Sequence, residues 1–447
     1  MSDIITLLAE IVNSSEKTTR RQMAIIIRAM LAMSGRVTML GISRWAGKGG
    51  SYRTVQRFFN TPVDWQMFFY RFFQKHHYRT GDTYILAGDE SVVTKAGTKT
   101  HGLDRFYAGL FNKPVPGIAI FALSLINVST RQSHPVQVEQ VVRTAAEKEA
   151  AKVKAKKRAS KKSKKGKAKP GRPKGSKNKD KTNVTLTPEL KRIQTMLKKQ
   201  LSLFKNKLSV TYVALDGHFG NNNAFQSVRQ CDLHLISKLR YDSALYLPHP
   251  NLKGKKKYGK QLKYHNLPET YLKEESLEDN IRTRIYHLTA LHKNFAPSLN
   301  VVVLTKTNIK TDAFANVILF SSDLSLAYDK LIDYYRLRFQ IEFNFRDAKQ
   351  YWGLEDFMNV EEQPLTNALN LSLFMVSVSQ VLLSEYRRSV PQAGVLDLKS
   401  YHRANRYFAE MIKMLPQKPK PNLLSLIFKS VISIGRIHPV KTPLASP

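Results

Sequence analysis

The stretch YYRLRFQIEFNFRDAKQ, residues 334–350, carries Tyr335, Arg338, Glu342 and Lys349 at offsets of 0, 3, 7 and 14. The apolar spacing around it predicts one long helix over residues 326–351. At roughly 100° per residue, the four side chains project within about 60° of one another, on a single stripe. A carboxylate flanked by two cations and a phenol suits core packing poorly, because each charge must be paired or left in water. It suits holding a metal and a phosphodiester together. The plainer alternative is a solvated face on which Arg338 and Glu342, spaced i to i+4, form an ion pair.

Two more carboxylates belong with this stripe. Asp89, in ILAGDES, is expected at the end of a hydrophobic strand, and Asp216, in YVALDGHFGN, at the end of another. A strand end holds an aspartate rigidly at the sheet edge, which suits metal ligation. Two such aspartates and a helix-borne glutamate offer the hard oxygens that coordinate two Mg²⁺ ions about 3.5–4 Å apart. Glu90 is expected on the opposite face of its strand and is no ligand. His218 lies close enough in sequence to Asp216 to touch a metal-bound water. No phosphate-cradling glycine loop occurs, which argues against nucleotide hydrolysis.

With Tyr335, Arg338, Glu342 and Lys349 in place, the chain resembles the DDE transposases of bacterial insertion sequences, in the group with the Tyr-x2-Arg-x3-Glu-x6-Lys signature. GDES and ALDGHFG extend the resemblance over about residues 80 to 355. It implies an α/β fold: a ribonuclease-H-like catalytic core with a β-rich insertion, flanked by helical N- and C-terminal DNA-binding regions. It also implies that Asp89, Asp216 and Glu342 hold two Mg²⁺ ions, for which Mn²⁺ can substitute. The chemistry would be DNA cleavage at the element's terminal inverted repeats, then 3′-hydroxyl strand transfer into target DNA. Tyr335, Arg338 and Lys349 would grip phosphates, and a homodimer would form the synaptic complex. Members of this group often pass through a DNA hairpin with a base flipped onto an aromatic side chain. Here no tryptophan lies between Asp216 and Glu342, leaving Tyr246, Tyr258 or Tyr264 as stacking candidates. The rival readings are a non-catalytic DNA-binding protein of transposase descent, and a ribonuclease-H-like nuclease without strand transfer.

Charge agrees with a DNA partner. The 447 residues hold 72 Lys and Arg against 34 Asp and Glu, a net charge of +38. At 42 % hydrophobic, the chain is too apolar for wholesale disorder. A positive field of this size points to nucleic acid, with an anionic membrane surface as competitor. The excess is local: residues 1–80, 148–181, 240–310 and 384–447 carry +8, +15, +7 and +8. What remains, including the three carboxylates, is neutral. Separate basic appendages disfavour a single membrane-binding face. One cysteine, Cys231, excludes an internal disulfide framework and a thiolate zinc cluster. The N-terminus has no basic signal region, and the apolar run 369–383 falls short of a membrane span. The expected location is the bacterial cytoplasm, at the nucleoid.

Composition divides the chain as follows. Residues 1–80 read as a helical DNA-binding domain, in which a helix, a glycine turn and a second helix capped by Ser51 suit a helix-turn-helix. Arg53 and Arg57 lie on its exposed face; an ordinary helical hairpin is the alternative. Residues 81–147 and 182–239 form the first parts of the core. Residues 148–181 form a basic linker ending in PGRPKGSKNK, which resembles an AT-hook. There Arg172, held extended by Pro173, and Lys174 suit a narrow minor groove; a solvated basic tether is the alternative. Residues 240–322 read as the β-rich insertion, 323–383 as the last helical part of the core, and 384–447 as a basic helical C-terminal region.

Overall fold

The aliphatic segment YILAGDESVVT forms β1 (Tyr84–Thr94) at the centre of a large mixed sheet. The computed structural model describes residues 3–9, 17–150, 152–153, 180–205, 207–250, 257–417 and 419–438. Arg172 and Lys174 lie outside these. β1 pairs antiparallel with β3 (Lys113–Asn127), which also pairs with β2 (Asp104–Ala108) and β4 (Ser133–Val141). On its other side β1 pairs parallel with β5 (Tyr212–Leu215), itself parallel to β6 (His234–Leu239). These central strands read as nearly continuous aliphatic runs because both faces are covered. Alternation then sorts the side chains: Ile85 and Ala87 join one core, Tyr84 and Leu86 the other.

The Tyr84 face is covered by α6 (Pro188–Phe204) and α7 (Asn222–Arg229). Both start where their sequences provide a cap: Thr187 accepts from Leu190 N–H with Pro188 following, and Asn221 accepts from Ala224 N–H. Beyond β6 the sheet continues through β12 (Phe314–Ser321), β11 (Leu299–Asn308) and β10 (Ile281–His292). The short strands β7 (Leu245–Pro248), β8 (Tyr258–Gln261) and β9 (Leu272–Glu278) complete this extension.

On the Ile85 face lie α8 (Tyr328–Leu337), α9 (Gln340–Tyr351) and α10 (Glu362–Tyr386). Their core is shared with α1 (Ile4–Ala9), α2 (Lys17–Ala32), α3 (Met39–Ala46), α4 (Tyr52–Asn60) and α5 (Trp65–His76), and with α11 (Val395–Met414). α12 (Pro421–Val431) follows α11. α10 is long and apolar enough to cross a membrane, but 83 % of its most apolar window is buried inside the protein. Its fully buried Asn367 accepts from Trp65 Nε1 at 2.7 Å and donates to the Phe59 and Thr61 carbonyls at 2.7 and 2.8 Å. That one amide caps the end of α4 and ties α4 and α5 to α10.

Two expectations are corrected. The single helix over residues 326–351 is two, α8 and α9, joined at Arg338 and Phe339. There the ladder tightens: Phe339, Ile341 and Glu342 N–H donate to the carbonyls of Arg336, Arg338 and Phe339. Backbone angles at Arg338 and Phe339 stay in the right-handed helical region, so the apolar pattern runs through without a mark. Likewise Asp89 does not end its strand, because β1 continues to Thr94, paired all the way with β3.

Candidate active site

The pairing register assembles the site. Leu86, Ala87 and Gly88 face Val213, Ala214 and Leu215 in the parallel pair. One step further puts Asp89 beside Asp216, where β5 has ended and the sheet opens. Gly88 permits the close approach, since a Cβ there would stand 2.8 Å from both Leu215 Cδ2 and Phe121 Cζ. Asp89 Oδ1 accepts from Glu90 N–H at 2.9 Å. Asp216 Oδ1 accepts from His218 N–H at 3.1 Å, while Ser237 Oγ donates to the Asp216 carbonyl at 2.7 Å. Glu90 points to the opposite face, towards α6, where Glu189 and Arg192 lie.

Glu342 reaches the same place from α9. Arg338 donates through Nη1 to Asp89 Oδ2 at 3.2 Å and through Nη2 to Glu342 Oε1 at 2.9 Å. Its side chain is only 13 % exposed, and its buried Nε has no hydrogen-bond partner among the described residues. Burial pushes the Asp89 carboxyl up to about 6, against the pull of Arg338 and the Glu90 N–H and with a further push from the Asp216 and Glu342 carboxylates. All three carboxylates thus share one electrostatic neighbourhood. Tyr335 lies next to them, its phenol raised chiefly by burial, with the Arg338 guanidinium 6.0 Å from its ring centroid. Lys349 donates to the Val92 carbonyl at 3.0 Å and pairs with Glu355 at 3.2 Å. His218 is held by Glu189 at 3.2 Å, a hydrogen bond that raises the imidazole's pKa.

The donor set is three carboxylates, the chemistry that hard divalent cations take. Among the described residues no three acidic, histidine or cysteine side chains stand close enough to hold an ion as they are. The space between Asp89 and Glu342 is spanned instead by Arg338. The donors fit a hard cation in kind.

A family model described as DDE superfamily endonuclease matches residues 8–292. The chain belongs to the DDE superfamily endonucleases. This makes it a transposase-like nuclease with DNA as its substrate class. The matched part of this DDE endonuclease includes Asp89 and Asp216 and stops before the signature helix, so Tyr335, Arg338, Glu342 and Lys349 lie beyond it. A comparison with curated proteins finds no match.

Elsewhere in the endonuclease, Arg53 and Arg57 are exposed on α4, whose Val55, Phe58 and Phe59 are buried. Ser51 caps that helix by accepting from Thr54 N–H. Of the three stacking candidates, Tyr246 packs edge-on against Tyr258 at 5.6 Å, and Tyr264 donates its hydroxyl to the Ser243 carbonyl. An apolar cavity of about 240 Å³ lies instead against Tyr335, lined also by Leu304, Val317, Leu319 and Ile332. It shares Ala315 and Asn316 with a second depression of about 520 Å³ at Tyr241, Tyr264, His265 and Phe314. His265 and Phe314 stack there at 3.9 Å, and Tyr241 is 67 % exposed.

Sequence reasoning missed Asn344. Buried on α9, it donates to Ser124 Oγ at 3.2 Å and Ser133 Oγ at 2.8 Å, fastening the Glu342 helix to β3 and β4. The available signal was a serine within the aliphatic run of β3 and an amide two residues after Glu342.

Proposed function

We propose that this endonuclease is a cut-and-paste DNA transposase, cleaving the ends of a mobile element and joining the freed 3′-hydroxyls to target DNA. The observation that carries the reading is the convergence of Asp89 and Asp216, adjacent through the β1–β5 register, with Glu342 linked to Asp89 by Arg338. The order β4-β3-β1-β5-β6, three antiparallel strands followed by two parallel to β1, supports a ribonuclease-H-like core. Strands β7–β12 support an insertion between Asp216 and Glu342.

Asp89, Asp216 and Glu342 would hold two Mg²⁺ ions, or Mn²⁺, which when bound activate water or a 3′-hydroxyl and stabilise the attacking and leaving oxygens. The chain's own residues set the stage for that chemistry. The Glu90 and His218 amides fix the two aspartates, and Asn344 fixes α9. Lys349 offers a point charge and Arg338 a fork to phosphate oxygens, with Tyr335 beside them. Arg53 and Arg57 on α4 would contact the terminal inverted repeats, and Arg172 and Lys174 an A·T-rich minor groove. The synaptic complex would be a homodimer, acting at the nucleoid in the cytoplasm. For a hairpin step, the exposed Tyr241 is better placed for an extruded base than Tyr246 or Tyr258, which are engaged with each other.

The test is incubation of the full chain with Mg²⁺ and DNA carrying the inverted repeats that flank its gene. Cleavage at the repeat ends and 3′-end joining are expected, with both lost in Glu342→Gln while DNA binding persists. Absence of Mg²⁺-dependent cleavage on every terminal repeat would sink the proposal, and nicking without joining would leave a nuclease. DNA binding should weaken steeply with salt, and deletion of residues 148–181 should flatten that slope.

A further inference from the structure

Arg338 stands on the stripe from which a phosphate contact is expected, yet in the DNA-free chain both terminal nitrogens are engaged with carboxylates. Nη1 lies 3.2 Å from Asp89 and Nη2 2.9 Å from Glu342. With Glu90 N–H on the other oxygen, each oxygen of Asp89 already accepts one hydrogen bond, the one to Oδ2 from a cation. A divalent cation needs those oxygens, and a guanidinium within hydrogen-bonding distance of them repels it. Three carboxylates meeting at a sheet opening are in turn costly to leave unneutralised, since like charges destabilise one another.

Arg338 also sits where the backbone can move it. It occupies the tightened turn between α8 and α9, where Phe339, Ile341 and Glu342 make i to i−3 bonds in place of the ordinary helical ladder. Such a turn within a helical stretch is a natural place for a small rotation. Its Nε is buried without a partner among the described residues, so the guanidinium's hydrogen bonds to carboxylates all run through its two terminal nitrogens.

We propose that Arg338 is the internal counter-ion of the ion-free site: it bridges Asp89 and Glu342 until divalent cations arrive, then leaves Asp89 and becomes available to a DNA phosphate. Arg338 is in this sense a positioning residue, and ion loading and DNA grip become one coupled event. Each favours the other, because both draw Arg338 away from Asp89. The inference rests on Asp89, Asp216 and Glu342 being the ion ligands.

The test is Mn²⁺ titration of the full chain without DNA at pH 8, followed by loss of the free-ion electron paramagnetic resonance signal. Arg338→Gln, which removes the competing charge, should bind Mn²⁺ about tenfold tighter than wild type. Arg338→Lys, which keeps the charge but loses the fork that spans two carboxylates, should fall between them, and it carries the test if the glutamine variant does not fold. Ion-free Arg338→Gln should melt below wild type and gain more from saturating Mn²⁺. If wild type binds Mn²⁺, Asp89→Asn abolishes that binding, and both Arg338 variants bind no tighter, this inference is overturned while the ligand assignment stands. If no variant binds Mn²⁺, or Asp89→Asn leaves binding unchanged, the ligand assignment falls and takes this inference with it.

Discussion

At its N-terminal end α9 emerges from the tightened turn at Arg338, where Glu342 is 40 % exposed and its ion-pair partner Arg338 is 13 % exposed. At its C-terminal end every feature fixes it. Gly353, at φ +77°, lets the chain turn back so that Leu354 N–H donates to the Ala348 carbonyl at 3.0 Å, the carbonyl that also accepts from Trp352 N–H at 3.2 Å. Trp352 is fully buried, and the buried Lys399 of α11 donates to the Tyr351 carbonyl at 3.3 Å and the Met30 carbonyl of α2 at 2.8 Å. The same ammonium lies 4.8 Å from the Trp352 ring centroid. One helix thus presents an adjustable end to the carboxylates while being clamped at the other by elements far away in sequence. The contrast teaches that placement of Glu342 is a property of the whole helical layer.

Substitutions at the two ends should therefore separate activity from stability. The largest effect is expected at the open end: Glu342→Gln should lower cleavage by on the order of 10³-fold, the scale for losing one preorganised transition-state contact. Its urea midpoint should move little, because Glu342 is itself 40 % exposed and Arg338 keeps its pair with Asp89. An equal loss of stability would erase the distinction between the ends. At the clamped end, Gly353→Val adds a Cβ 2.3 Å from Val37 Cβ in a left-handed conformation. The expected cost is about 2–5 kcal/mol in equilibrium unfolding, from backbone strain and overpacking together. Activity per folded molecule should persist.

Lys399 offers a pH signature of the clamp. Burial lowers its pKa from 10.5 to about 8. The folded state then binds fewer protons than the unfolded state between these values, so stability rises with pH across that window, by up to about 3 kcal/mol. Lys399→Met should remove this rise, and identical pH profiles for variant and wild type would mean that the ammonium is not clamped as described. The smallest effect belongs to the exposed Lys349–Glu355 pair: Glu355→Gln should shift stability by about 0.5 kcal/mol or less.

Much of the sheet was legible because its strands are long aliphatic runs bounded by turn residues. β1, β3, β4, β6, β10 and β11 all follow from that pattern. β2, β7, β8 and β9 are short or polar and gave no run to read, and β12 went unrecognised in FANVILFS, though its pairing with β6 joins the extension to the core. At the site, Asp89, Asp216, Glu342 and Arg338 were legible as residue types at set spacings. What they touch was not. The Arg338–Asp89 bridge depends on a fold-level meeting of β1 and α9, and Asn344, Asn367 and Lys399 make contacts across stretches of chain that no local period encodes. The tightening at Arg338 escaped because helical angles persist through it.

Glu147, just before the lysine-rich segment, and Arg192, shortly after it, form an ion pair at 2.9 Å, with Glu147 15 % exposed. Lys148 also approaches Asp104 at 3.9 Å, and Asn222 donates to the Lys181 carbonyl at 2.8 Å. The described residues on either side of the lysine-rich segment are thus tied into the fold. Residues 148–181 carry 17 basic and 2 acidic side chains. The largest single block of the protein's positive charge is therefore bounded on both sides by residues anchored to the nuclease fold.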